Sequence, residues 1–212
     1  MDSAPPPPQQ ARSRRTMERL LTATLTVIEE KGLAAATIPE IAAVAGVSAG
    51  SVYRRFADKD ALVRAAFLQV LEESQETNRA NLPTGRFEGR SFNEALHAIG
   101  RSFVAQYRGR TGLLKALDQF LELQADAKFR ERAAELIEAN FRLVIEALLP
   151  FRDRIAAADP ERAITFALLS AATVIEVHKL QNDLLWKRML PLDDEALAEE
   201  IARAMIAYLT LA

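Results

Sequence analysis

The chain has no cysteine, so disulfides and thiolate chemistry are excluded. Histidine is almost as scarce: only His97 and His178 occur, far apart and without an H-E-x-x-H-like companion. No strand alternation and no internal repeat is legible. No apolar run reaches the length of a bilayer span free of charge, so no membrane partner is expected. The opening MDSAPPPPQQARSRR lacks the apolar stretch of a secretion signal and reads as a flexible Pro-rich tail over residues 1–13. Neither sign of charge dominates, with 27 Lys and Arg against 29 Asp and Glu and a net charge of −2. Bulk charge therefore does not hold nucleic acid, and any such contact needs a local basic face. Residues 1–57 do carry seven Lys/Arg against five Asp/Glu, so the small excess lies at the N-terminal end. With no cysteine nucleophile, His-centred set, metal-ligand cluster or phosphate loop, an enzyme has little support, and no cofactor or metal is expected. A cytoplasmic setting is compatible with this composition.

What is present is helix. Arg15–Lys31 places Met17, Leu20, Leu21, Leu25 and Ile28 on one face, and Gly32 stops it. Asp58 caps a long helix running to about Ala80, with Leu62, Phe67, Val70 and Leu71 on its apolar side. Asn81–Arg90 holds Pro83, Gly85 and Gly89 and reads as a loop, placing a domain boundary near residue 81. Helices then follow from Ser91, over Leu113–Gln124, over Asp126–Leu149, over Glu161–Arg188 and over Asp193–Leu211. The stretch from Ala163 to Val177 is apolar nearly all round, which calls for burial on two sides. One side suits its own domain, the other a second copy of the chain. The last helix has two stripes, Leu197–Ile201–Met205–Tyr208 and Ala198–Ala202–Ile206–Leu209. Together with Leu168, Ala172 and Ile175, the stripe of Leu197, Ile201, Met205 and Tyr208 is the candidate face of an intermolecular four-helix bundle. A monomer with a buried central hairpin is the alternative.

The segment Thr37–Leu62, TIPEIAAVAGVSAGSVYRRFADKDAL, carries the most specific signal. Thr37 and Glu40 form a capping box that starts a helix at Ile38, with Pro39 harmless in its first turn. Ile41, Val44 and Ala45 supply an apolar side, Gly46 ends the helix, and Ser48 caps the next one. Val47, Val52 and Phe56 point back to the core, leaving Ala49, Gly50, Ser51, Tyr53, Arg54 and Arg55 outward. Small, hydroxyl, aromatic and cationic groups on one short helix suit the major groove and its flanking phosphates.

From Arg14 to about Leu71 the chain resembles the DNA-binding domain of TetR-family transcriptional regulators, through ATIPEIAAVAGVSAGSVYRRF followed by ADKDAL. The resemblance implies an all-α fold: a three-helix helix-turn-helix domain (residues 14–80) joined by a long helix to a helical ligand-binding and dimerisation domain (residues 81–212). It implies phosphate contacts from Thr37, Tyr53 and Lys59, and a recognition helix that starts at Ser48 and presents Ala49, Gly50 and Ser51. Arg54 is the candidate base reader, because a guanidinium can donate twice to guanine. Arg14 and Arg15 are placed to reach the adjacent groove or phosphate. Where the family often has Lys or Pro this chain has Ala49, which removes a cation and offers a methyl. The implied function is a homodimeric repressor of a palindromic double-stranded DNA operator, released by a small-molecule effector. The alternatives are an activator or a dimeric adaptor whose helix-turn-helix no longer holds DNA. Phe103, Tyr107, Phe120, Phe141, Phe166, His178 and Trp186 lie on the helices expected to wrap the effector, with His97, Gln106, Gln124 and Asn140 as polar candidates. The same spacing also suits a plain core. Charged groups look scarce on these faces, so a small apolar or aromatic effector is expected.

Overall fold

Side-chain caps set most of the helix starts. Thr37, Ser48, Asp58, Ser91, Asp126 and Asp193 each accept a hydrogen bond from a backbone N–H three residues on, satisfying a donor that the helix itself cannot. The computed structural model describes residues 8–83, 85–123, 125–180 and 184–211. They form α1 (Pro8–Lys31), α2 (Ile38–Ala45), α3 (Ala49–Tyr53), α4 (Lys59–Asn81) and α5 (Phe92–Gln106). Then follow α6 (Thr111–Leu123), α7 (Ala127–Leu148), a 3-10 turn, α8 (Pro160–Leu180), α9 (Leu184–Met189) and α10 (Asp194–Thr210). No strand occurs among the described residues. The fold is all-α, with a helix-turn-helix at the N-terminal end and a helical C-terminal domain.

One boundary differs from the sequence reading. Helix α1 begins at Pro8, not Arg15, so residues 8–13 continue the helix backward; residues 1–7 lie outside the described part. Within the segment read as one helix, Glu161–Arg188, the described residues are helical over α8 and again over α9, and residues 181–183 lie outside the described part.

The apolar residues gather in two cores. The first joins Leu20, Val27 and Ile28 of α1 with Ile41 of α2, Val52 of α3, and Leu62, Val63 and Phe67 of α4. It does not stop at the N-terminal domain. Leu113, Leu117 and Phe120 of α6 and Phe129 and Leu136 of α7 belong to the same cluster. The Phe120 ring stands edge-on to Phe67 at 5.4 Å and to Phe129 at 5.5 Å between centroids, a favoured aromatic geometry. Helix α6 is also tied to α1 at its first turn. The Leu113 N–H donates to Glu29 Oε2 at 2.5 Å. A Cβ on Gly112 would stand 2.9 Å from Glu29 Oε1, so any larger residue there would push the Glu29 side chain aside.

The second core packs α5, α7, α8 and α10 through Leu96, Ile99, Leu148, Ile164, Leu168, Ile175, Leu197, Ile201 and Met205. Ala198 and Ala202 of α10 lie against Gly100 of α5. Helix α8 is long and apolar enough to cross a bilayer by length and composition alone. Here one side of it, with Ile164, Leu168 and Ile175, is buried in this core.

Truncating Phe120→Ala should remove about 3–5 kcal/mol of stability, as for other buried aromatics. Urea unfolding of the full chain reads this. A loss below about 1 kcal/mol would mean that the aromatic chain does not join the two parts.

Candidate functional site

The helix-turn-helix is built as its sequence dictates. At the start of α2 the Glu40 N–H donates to Thr37 Oγ1 at 3.4 Å, and the Thr37 N–H donates back to Glu40 Oε2 at 3.2 Å. Glu40 also meets Lys31 Nζ at 2.6 Å, clasping the end of α1 to the start of α2. This lysine and the Thr37 hydroxyl hold the Glu40 carboxyl below its ordinary pKa. Gly46 adopts φ +63°, the left-handed turn that redirects the chain into α3. Ile41 and Ala45 are buried, but Val44, read as a member of the apolar side, is 56% exposed. The helix is short, and its buried stripe needs only Ile38, Ile41, Ala42 and Ala45.

On the outer surface Thr37, Tyr53 and Lys59 come together around one cleft of about 410 Å³, walled also by Pro39, Ala57 and Asp58. The starts of α2 and α4 open onto it, and helix N-termini favour phosphate oxygens. Tyr53 is 58% exposed. Lys59 is more occupied than expected: its ammonium donates to the carbonyls of Leu33 and Ala36, both at 2.9 Å. It thus closes the turn between α1 and α2 and keeps one N–H of three for another partner. Ser48 and Ser51 hydroxyls lie 3.0 Å apart, and Arg54 donates one N–H to Ser51 Oγ at 2.9 Å. Gly50 and Arg54 are exposed, while Ala49 and Ser51 are half-buried. Arg14 and Arg15 are exposed on α1 itself, not on a free arm. Arg55 donates to Ser13 of α1 at 3.3 Å.

The C-terminal domain holds a cavity of about 740 Å³. Of the seven expected effector residues, Phe103, Tyr107 and Phe141 line it, and Phe103 meets Phe141 edge-on at 6.2 Å. Phe120 does not; it is consumed by the first core. Phe166 does not either: it is 58% exposed and packs on Tyr208. His178 and Trp186 stack edge-on with each other away from the cavity wall. Gln106 and Asn140 line the cavity, Asn140 accepting from Asn78 at 2.9 Å; His97 instead pairs with Glu199. Gln124 lies outside the described residues. Charge is not scarce on the wall, which includes Glu73, Arg86, Arg110, Asp118 and Glu176. The Tyr107 phenol is pushed up to about 12 by burial and by the Glu176 and Asp118 carboxylates. Among the described residues, no group of three or more acidic or histidine side chains is gathered to hold a metal ion.

A family model for bacterial regulatory proteins of the tetR family matches residues 20–66. The HTH-type transcriptional repressor KstR2 of Rhodococcus jostii is 32% identical over 162 residues, covering 69% of this chain and 79% of that protein. The chain belongs to the TetR family. It is a transcriptional regulator with a DNA-binding helix-turn-helix domain. The HTH-type transcriptional regulator BetI of Stenotrophomonas maltophilia is 48% identical over 59 residues, 28% of this chain and 30% of that relative, well short of its full length. A crystal structure of a protein from Mesorhizobium loti, assigned to the same family, superposes with a TM-score of 0.73 at 18% identity over 93% of this chain and 96% of that one. That likeness is one of fold.

The TetR-family C-terminal helices correct the expected pairing face. Leu168, Ile175, Leu197, Ile201 and Met205 are buried within the chain's own second core, and Ala172 and Ile175 line the cavity. The five buried residues offer no surface to a partner, and Ala172 is half-buried. Of the expected set only Tyr208 is exposed, at 49%. It shares its apolar patch with Phe166 and with Leu169, which is 50% exposed. Two further residues escaped sequence reasoning. Arg19 of α1 donates to the carbonyls of Ala45 and Gly46, capping α2 from outside, and Glu29 caps α6. Both act across long sequence separations, where no local pattern signals them.

Replacing Lys59→Met should cost about 1–2 kcal/mol of stability from the two lost hydrogen bonds, read by thermal melting. A variant as stable as the parent would show that the turn closes without them.

Proposed function

We propose that this TetR-family regulator is a homodimeric repressor of a near-palindromic operator, released by a small-molecule effector held in the C-terminal cavity. The observation that carries the reading is α6. It lines the cavity through Leu114, Leu117, Asp118 and Leu121, and its other residues pack in the same core as the helix-turn-helix. A ligand that shifts α6 thereby shifts the reading head. A coupling of about 1–3 kcal/mol is enough for a switch.

On DNA, Thr37, Tyr53 and the free N–H of Lys59 take phosphates around their shared cleft. Ser48, Ala49, Gly50 and Ser51 face the groove, Arg54 releases Ser51 to donate to a guanine, and Arg14 and Arg15 add backbone contacts from α1. A single α3 reads few bases. Two copies about 34–36 Å apart read a palindrome, and the exposed patch of Phe166, Leu169 and Tyr208 on α8 and α10 is the surface through which they pair. KstR2, a relative over 79% of its length, is named a repressor, which supports the sign of regulation. Such a protein works in the cytoplasm, where the DNA is.

Selection of bound duplexes from random DNA at near-physiological salt should enrich a palindrome. Arg54→Ala should relax one position in each half-site, at about 1–3 kcal/mol of discrimination. No enrichment with the parent chain at any salt would turn the reading to a helical adaptor. Sedimentation should show a dimer for the parent and a monomer for Phe166→Asp, while a dimer unmoved by this charge would place the interface elsewhere.

A further inference from the structure

The cavity wall carries three carboxyl groups, Glu73, Asp118 and Glu176, against two guanidinium groups, Arg86 and Arg110. Asp118 of α6 and Glu176 of α8 both line it and lie within hydrogen-bonding reach of each other, a bond that forms only while one of the two carboxyls keeps a proton. Among the described residues neither has a Lys or Arg at ion-pair distance. Each influence on Glu176 pushes its carboxyl pKa up: burial first, then Asp118, then Glu122. Arg86 and Arg110 also line the cavity, but both are exposed and neither is among the groups that shift Glu176 or Tyr107. Two carboxylates this close in a partly desolvated place repel each other, so the pair either keeps one proton or takes a cation in its stead, and a cation set between them relieves both the repulsion and the desolvation. Tyr107, beside the pair, and the Phe103 and Phe141 rings on the same wall add faces that attract a desolvated cation. The rest of the wall is aliphatic, including Ile99, Ile137 and Val144.

We propose that the effector is an organic monocation, an apolar body bearing a protonated amine seated between Asp118 and Glu176. This rests on the reading of the cavity as the effector site, and it adds a charge to the small apolar or aromatic effector expected from the sequence. An ammonium donates to both carboxylates, and its apolar body fills the remaining space of a cavity of about 740 Å³.

Three probes with one chain length and different heads test it: decylamine, protonated at neutral pH, 1-decanol and decanoate. Calorimetric titration of the full-length protein at pH 7, below micellar concentrations, should give decylamine at least about tenfold tighter binding than 1-decanol, with decanoate weakest. The double variant Asp118→Asn, Glu176→Gln should lose that preference while still binding 1-decanol, which also reports that the variant is folded. Decanoate binding as tightly as decylamine overturns the cationic proposal and leaves the effector-cavity reading intact. So does a cation preference that survives in the double variant. If none of the three binds, both the proposal and the cavity reading fall.

Discussion

The structure depends on one shared helix. Helix α6 contributes Leu113, Leu117 and Phe120 to the core of the helix-turn-helix, and Leu114, Asp118 and Leu121 to the wall of the cavity. Without it the N-terminal helices would have to bury their apolar faces against each other alone. Helix α3 has five residues and α2 has eight, far below the length at which an isolated helix holds together in water. Their order is bought by tertiary packing, and the edge-on chain of Phe67, Phe120 and Phe129 carries that packing across to the second half of the molecule.

Polar groups complete what apolar packing cannot. The carbonyls left over at the end of α2 and in the turn before it are met by cations from other helices: Arg19 reaches Ala45 and Gly46, and Lys59 reaches Leu33 and Ala36. Each of these side chains fixes the angle between two helices. The basic residues around the helix-turn-helix are thus divided in task. Arg19 and Lys59 hold the turns, whereas Arg54 is exposed and Arg14 and Arg15 lie open on α1.

Local chemistry was legible in the sequence, and long-range chemistry was not. Caps at Thr37, Ser48 and Asp58 and the turn at Gly46 depend on neighbours within four residues, and they form as read. Helix existence followed from apolar periodicity. What periodicity leaves open is how much of an apolar surface the chain's own core takes. On α10 both stripes turn inward: Leu197, Ile201 and Met205 join the second core, and Ala198 and Ala202 close on Gly100 of α5; nothing in α10 itself says so. The same ambiguity separates Phe120, a core ring, from Phe103 and Phe141, which line the cavity. Asp118 and Glu176 lie on different helices and look like ordinary solvated charges until the fold sets them face to face.

The contact between Glu29 and Gly112 has a mechanical consequence. The N-terminal end of α6 carries the positive pole of its dipole, and a carboxylate from α1 is set against it at the Leu113 amide. With no side chain at Gly112 in its way, that carboxylate reaches the α6 backbone directly and ties the two helices at this point. A change in the cavity that moves α6 thus meets α1 first at this charge-assisted contact.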